Sequence, residues 1–156
     1  MRSDSETISV ARFDPAVSPA YRLYGVAALD IATFTGSILA GFVLMAQNWR
    51  VAGDVDRART DLLLGLLLVI VLLGVLIHVA AFERIPDIVF QGIQVWMVHV
   101  YASRTQAELR AAHRAVSGRF HSKWRGFWLG LAVGFGVLAA LFAYMLLAPE
   151  SWFPID

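Results

Sequence analysis

LLLGLLLVIVLLGVLIHVAAF, Leu62–Phe82, decides the fold class: sixteen consecutive apolar or glycine residues, with nine Leu in the whole segment, precede its first polar side chain, His78. At ~1.5 Å per residue such a helix rises roughly 30 Å, the thickness of a bilayer's hydrocarbon core. The rest of the chain agrees. Of its 156 residues 58% are apolar and 16% charged, whereas a soluble domain has about 45–50% apolar and about 25% charged residues.

Working outward, Phe127–Ala148 carries no charge and stops at Pro149-Glu150, so it reads as a second complete span. Val26–Ala46 is long enough to cross but holds Asp30, Thr33, Thr35 and Ser37, and reads as a polar-striped span. Ile85–Ala102 opens at Pro86 and carries Asp87, Gln91, Gln94 and His99 among Val, Ile, Phe, Trp and Met. At 100° per residue these polar groups fall on one broad side, with Val89, Ile93, Trp96, Met97 and Val100 on the other. That pattern suits a bundle helix with one face inward, and also a helix lying in the interface.

The spacing therefore predicts an all-α membrane protein, a bundle of four hydrophobic helices at about 26–46, 62–82, 86–102 and 127–148, within a single transmembrane domain over 25–149. A polar tail (1–24) precedes it and a short tail (150–156) follows. The tail lacks the apolar core of a signal peptide, and residue 2 is Arg, which excludes myristoylation. Four spans with both termini outside leave nine Lys and Arg in cytoplasmic loops and four outside. Three spans with an interfacial third helix give ten and three. The four-span arrangement is preferred, because the basic residues of the third helix gather at one end, as expected if it continues unbroken from Asp87 to about Ser117 and its Arg half reaches the cytoplasm. Gly118 then stands at the helix's C′ position and Ser122 caps the next helix. Tyr21, Tyr24 and Trp152 mark one interface, and Trp49, Trp124 and Trp128 the other. The Arg and Ala bias suggests a GC-rich bacterial genome and hence a multi-pass protein of the bacterial inner membrane.

Candidate functional residues are the polar ones inside the spans. Asp30, Thr33, Ser37, Gly41 and Asn48 recur at helical spacing, and an ionisable group inside a span costs roughly 2.5–3.5 kcal/mol on insertion scales. The four-span arrangement brings Asp30 level with His78 or Arg84. Gln91, Gln94 and His99 complete the polar set. His78 and His99 differ in depth by roughly 12–18 Å, so they do not hold one haem between them. His113 and His121 lack a carboxylate or Cys at metal-ligand spacing. With no cysteine in the chain, thiol chemistry is excluded, and no cofactor is expected.

Two further features concern association. Gly126, Gly130 and Gly134 form a GxxxGxxxG ridge, and Gly36/Ala40 with Ser37/Gly41 form small-xxx-small pairs, spacings that let helix backbones approach closely within the chain or between protomers. Arg104, Arg110, Arg114, Arg119, Lys123 and Arg125 form a basic block suited to anionic phospholipid headgroups at about 1 kcal/mol each, or to a cytoplasmic partner; no aromatic platform for nucleic acid accompanies it. Nucleotide-binding, zinc-protease and serine-hydrolase motifs are absent. The expected role is a non-enzymatic scaffold or accessory subunit that packs against itself or a partner membrane protein. The alternative is an ion, proton or small-solute transport element using the stripe centred on Asp30.

Overall fold

The computed structural model describes residues 20–78 and 86–147, which form six helices and no strand among the described residues: α1 Val26–Gly36, α2 Ile38–Val51, α3 Val55–His78, α4 Asp87–Thr105, α5 Ala107–Ala115 and α6 Lys123–Leu147. The stretch α3 covers over Val55–Val75 and the whole of α6 are long and apolar enough to cross a membrane.

The first hydrophobic segment departs most from the sequence expectation. Where one helix is predicted over 26–46, the chain breaks at Ser37, whose φ of 87° and ψ of 170° fit no helix, and doubles back. Asn48 near the end of α2 accepts the Tyr24 backbone N–H at 2.7 Å and donates to the Tyr24 carbonyl at 3.0 Å, just before α1 begins. Two helices of 11 and 14 residues thus form a closed hairpin with its tip at Gly36–Ser37. Gly41 sits opposite Thr33 across the hairpin, with no room for a β-carbon between the Thr33 hydroxyl and the Val98 side chain. The predicted single polar stripe through Asp30, Thr33, Ser37, Gly41 and Asn48 is therefore divided between two antiparallel helices.

Around this hairpin stand the long helices. α3 returns along α2, Gly65 fitting against Phe42 where any β-carbon would collide with the ring. α6 runs parallel to α1 and places its glycine ridge on it. A β-carbon on Gly126 would lie 2.6 Å from the Ala28 carbonyl oxygen, one on Gly130 2.7 Å from Ala32 Cα, and one on Gly134 3.0 Å from Gly36 Cα. The ridge is thus an internal packing surface. α4 crosses both hairpin helices, burying Gln94, Val98 and Ala102, while Ile88, Val89, Ile93 and Trp96 point outward.

The hairpin is the core. Leu29, Ile38, Leu44 and Met45 are completely or almost completely buried, whereas α3 and α6 expose Leu66, Leu67, Ile70, Phe135, Leu138 and Phe142. Beyond the hairpin tip, α6 continues from Gly134 to Leu147, about 20 Å at ~1.5 Å per residue.

Three smaller expectations are corrected at the open end of the hairpin, called here the base. The predicted continuous helix from Asp87 is interrupted at Gln106, whose side chain turns inward to donate to the Met45 carbonyl and to accept from Asn48. The left-handed residue ending α5 is Ser117 (φ 54°) and not Gly118; Gly118 is small because the His113 ring lies against it. Tyr21 and Tyr24 share the base with Trp49 and Trp124, because the hairpin brings the chain back: Tyr21 stacks on His113 and Tyr24 packs on His121. Ser122 does cap α6, accepting the Trp124 N–H at 3.3 Å.

Candidate functional site

A helical break inside an apolar body leaves backbone groups without intrahelical partners, and each costs free energy unless satisfied. Here α4 supplies the partners. Gln91 donates its amide to the Thr33 and Phe34 carbonyls, each at 2.9 Å, at the end of α1. Gln94 accepts the Ile38 N–H at 3.0 Å at the start of α2, and its own amide reaches Gln91 at 3.4 Å. Two glutamines one turn apart on one helix therefore cap both halves of the hairpin tip. Beside the tip lies a recess of about 330 Å³ lined by Phe34, Thr35, Ser37, Gln91 and side chains of α6. Thr35 bonds back to the Ile31 carbonyl.

Asp30 meets a residue of α4. Its Oδ2 lies 3.0 Å from Nδ1 of His99 on α4, because α4 runs antiparallel to α1 and brings the two residues to one level. The side chain of His78, and Arg84, lie outside the described residues. The Asp30–His99 pair is open to the outside, 25% and 52% exposed.

The base is a second polar layer. Asn48 and Gln106 are both buried and bonded to each other at 2.9 Å. Arg110, expected among the headgroup contacts, is instead buried and donates to the Ala102 carbonyl at 2.8 Å. Burial lowers its pKa, the neighbouring Arg114 charge adds to this, and Asp30 opposes it. His113 is fully buried, with Nε2 3.0 Å from the Arg119 carbonyl oxygen. Arg104, Arg114, Arg119, Lys123 and Arg125 are exposed, and Arg114 lies over the Phe120 ring.

Sequence reasoning missed Asp61. Its position one residue before the Leu-rich run reads as the solvated start of a span, yet it is only 3% exposed. It accepts from the Trp49 indole and from the Tyr101 hydroxyl, each at 3.0 Å, and so ties α3 to both α2 and α4. A recess of about 360 Å³ opens beside it, between Trp49, Arg57, Thr60, Tyr101 and Thr105.

Among the described residues no group of three or more His, Asp or Glu side chains is placed to hold a metal ion. Comparison with protein-family models, curated proteins and solved structures finds no match to this chain.

Proposed function

We propose that the chain is a multi-pass protein of the bacterial inner membrane in which α3, α4 and α6 cross the bilayer, while the α1–α2 hairpin enters from the cytoplasmic side and turns back near mid-depth. Charge supports this orientation. Every Lys and Arg among the described residues lies at the base of the hairpin, from Arg22 through Arg50, Arg57 and Arg59 to the block Arg104–Arg125, which the positive-inside rule assigns to the cytoplasm. The N-terminus is then cytoplasmic and the C-terminus external, in place of both termini outside. α4 falls short in hydropathy because of Gln91, Gln94 and His99. The two glutamines serve the hairpin, and apart from Asp87 and His99 the outward face that remains is apolar.

Within that membrane we assign the chain the role of a non-enzymatic scaffold or accessory subunit. The observation that carries this reading is that the hairpin fills the interior of the bundle and that its buried amides are bonded to one another or to backbone, as Asn48, Gln106 and Gln94 are. The Asp30–His99 pair faces outward between helices, where ionisable groups at membrane depth are normally covered by protein. This is the side on which a partner helix or a second copy packs.

The titratable Asp30–His99 pair is also what a proton-transport element would use, and flux separates the two readings. In reconstituted vesicles under an imposed pH gradient the scaffold role predicts no protein-dependent flux. A flux that Asp30→Asn abolishes would overturn it.

A further inference from the structure

We infer that the recess between α2, α3 and α4 at the base of the hairpin binds a phosphoethanolamine headgroup, the ammonium on Asp61 and the phosphate on Arg57. The inference rests on the membrane reading above, which places this recess at the level of the cytoplasmic headgroups.

The volume of about 360 Å³ lies within the range of small-ligand sites, roughly 300–1,000 Å³. Its floor is a carboxylate that is almost wholly buried, at 3% exposure. Joining α3 to Trp49 and Tyr101 requires only a neutral acceptor, since both partners are neutral donors. A carboxylate has about four acceptor positions and these two bonds use half of them; Arg57, half exposed and paired with Asp54, acts on its charge from across the recess, and a buried charge is better answered by a cation in direct contact.

The surrounding groups define which cation. The Thr60 and Thr105 hydroxyls give their protons to the Asp56 and Tyr101 carbonyls, at 3.0 and 2.9 Å, so these two lining residues have no hydroxyl proton left and can only accept. Arg57 lies over the Trp49 ring, 4.9 Å from its centroid. With that aromatic face covered, the recess is no cage for a quaternary ammonium, which binds through ring faces. A carboxylate and two hydroxyl acceptors instead require N–H donors, as a primary ammonium has. Arg57 meets Asp54 through Nε, at 3.2 Å, and a guanidinium carries five N–H donors suited to phosphate. An anion and a cation on one small recess match a zwitterion whose charges are two carbons apart.

Native mass spectrometry of the full chain, released from nanodiscs of mixed phosphatidylethanolamine, phosphatidylcholine and phosphatidylglycerol, tests this. Phosphatidylcholine has the same phosphate and no N–H. The expected result is at least about tenfold preferential retention of phosphatidylethanolamine over phosphatidylcholine. Asp61→Asn, which keeps an acceptor and removes the charge, is expected to reduce the preference to within about twofold. Because Asp61 also braces three helices, Arg57→Gln provides a second variant on an exposed side chain; it should lower retention of phosphatidylethanolamine about tenfold with the fold unchanged by circular dichroism. Equal retention of the two lipids, or a preference that survives both substitutions, would overturn the proposal. Soluble phosphoethanolamine at millimolar concentration should leave the lipid in place; displacement would overturn a membrane lipid as the source. Protein that enters the discs and shows no preference contradicts the headgroup site alone. Protein that does not enter them contradicts the membrane reading, and this site with it.

Discussion

The side-chain oxygen of Gln94 lies 3.0 Å from the backbone nitrogen of Ile38, so the first N–H of α2 is capped by a residue 56 positions later in the chain. Leaving a buried donor unsatisfied costs about 1–3 kcal/mol. Gln94→Leu should therefore lower thermal stability in detergent by that amount, and Gln91→Leu should act in the same direction by freeing the Thr33 and Phe34 carbonyls. Since the two amides also touch each other, the double variant should depart from additivity. A Gln94→Leu protein as stable as wild type would contradict the capping role.

Ser37 occupies a backbone region that is essentially restricted to glycine, at a cost of about 1–3 kcal/mol for other residues. Against this, glycine loses more freedom on folding, roughly 0.5–1 kcal/mol. Ser37→Gly should thus raise stability by about 1 kcal/mol, and Ser37→Val should lower it. Thermal melts of the two variants in one detergent check both signs, and a less stable Ser37→Gly would mean that the tip is not strained.

Gly130 faces the first helix of its own chain, with Ala32 where a side chain would go. Gly130→Leu should lose several kcal/mol of stability, since overpacking typically costs about 1–3 kcal/mol and separating two backbones costs more. No change of oligomeric state should accompany the loss. Gly136, with nothing within 4 Å of a β-carbon, is the control: Gly136→Ala should be neutral or gain up to about 1 kcal/mol from helix propensity. Size-exclusion light scattering alongside melts separates these results from a ridge that joins protomers.

These sites show how far the sequence was legible. The two most apolar helices announce themselves by composition, because being long and apolar enough to cross a membrane is a matter of length and hydropathy alone. The inward face of α4 was readable in part: of the four polar residues assigned to one side, Gln91 and Gln94 turn to the hairpin, whereas Asp87 and His99 are exposed. The hairpin was not, because a helix that crosses and a helix that turns back at Ser37 need the same apolar residues, and no proline marks the break. The one hint was Gly36-Ser37 within a run containing Thr33 and Thr35. Asp30 stood out as the ionisable residue of its segment but its contact with His99 did not, since that contact depends on the direction in which α4 passes α1. Asp61 escaped notice because a carboxylate at a helix start is ordinary, and only the fold buries it.

His121 lies at the base against the Tyr24 ring, and its pKa is held below the ordinary 6.5 by burial first and then by the Arg125 and Arg22 charges. The folded protein therefore resists protonation more than the unfolded chain does. Stability should be highest above about pH 6.5 and fall as the pH drops through the lowered value. His121→Gln should flatten this acid-side loss, while the backbone bond from residue 121 to the Leu23 carbonyl persists. An identical pH profile for variant and wild type would remove His121 as the cause.

Whether the first hydrophobic segment enters and leaves on the same side is decided by the sidedness of Arg22. The chain has no native cysteine, so single variants Arg22→Cys, Ser122→Cys and Asp87→Cys can be probed with a membrane-impermeant maleimide in spheroplasts and in inverted vesicles. The hairpin predicts that Arg22→Cys and Ser122→Cys label only in inverted vesicles and Asp87→Cys only in spheroplasts. Labelling of Arg22→Cys in spheroplasts, together with Asp87→Cys, would show that residues 26–46 cross the membrane and would contradict the hairpin.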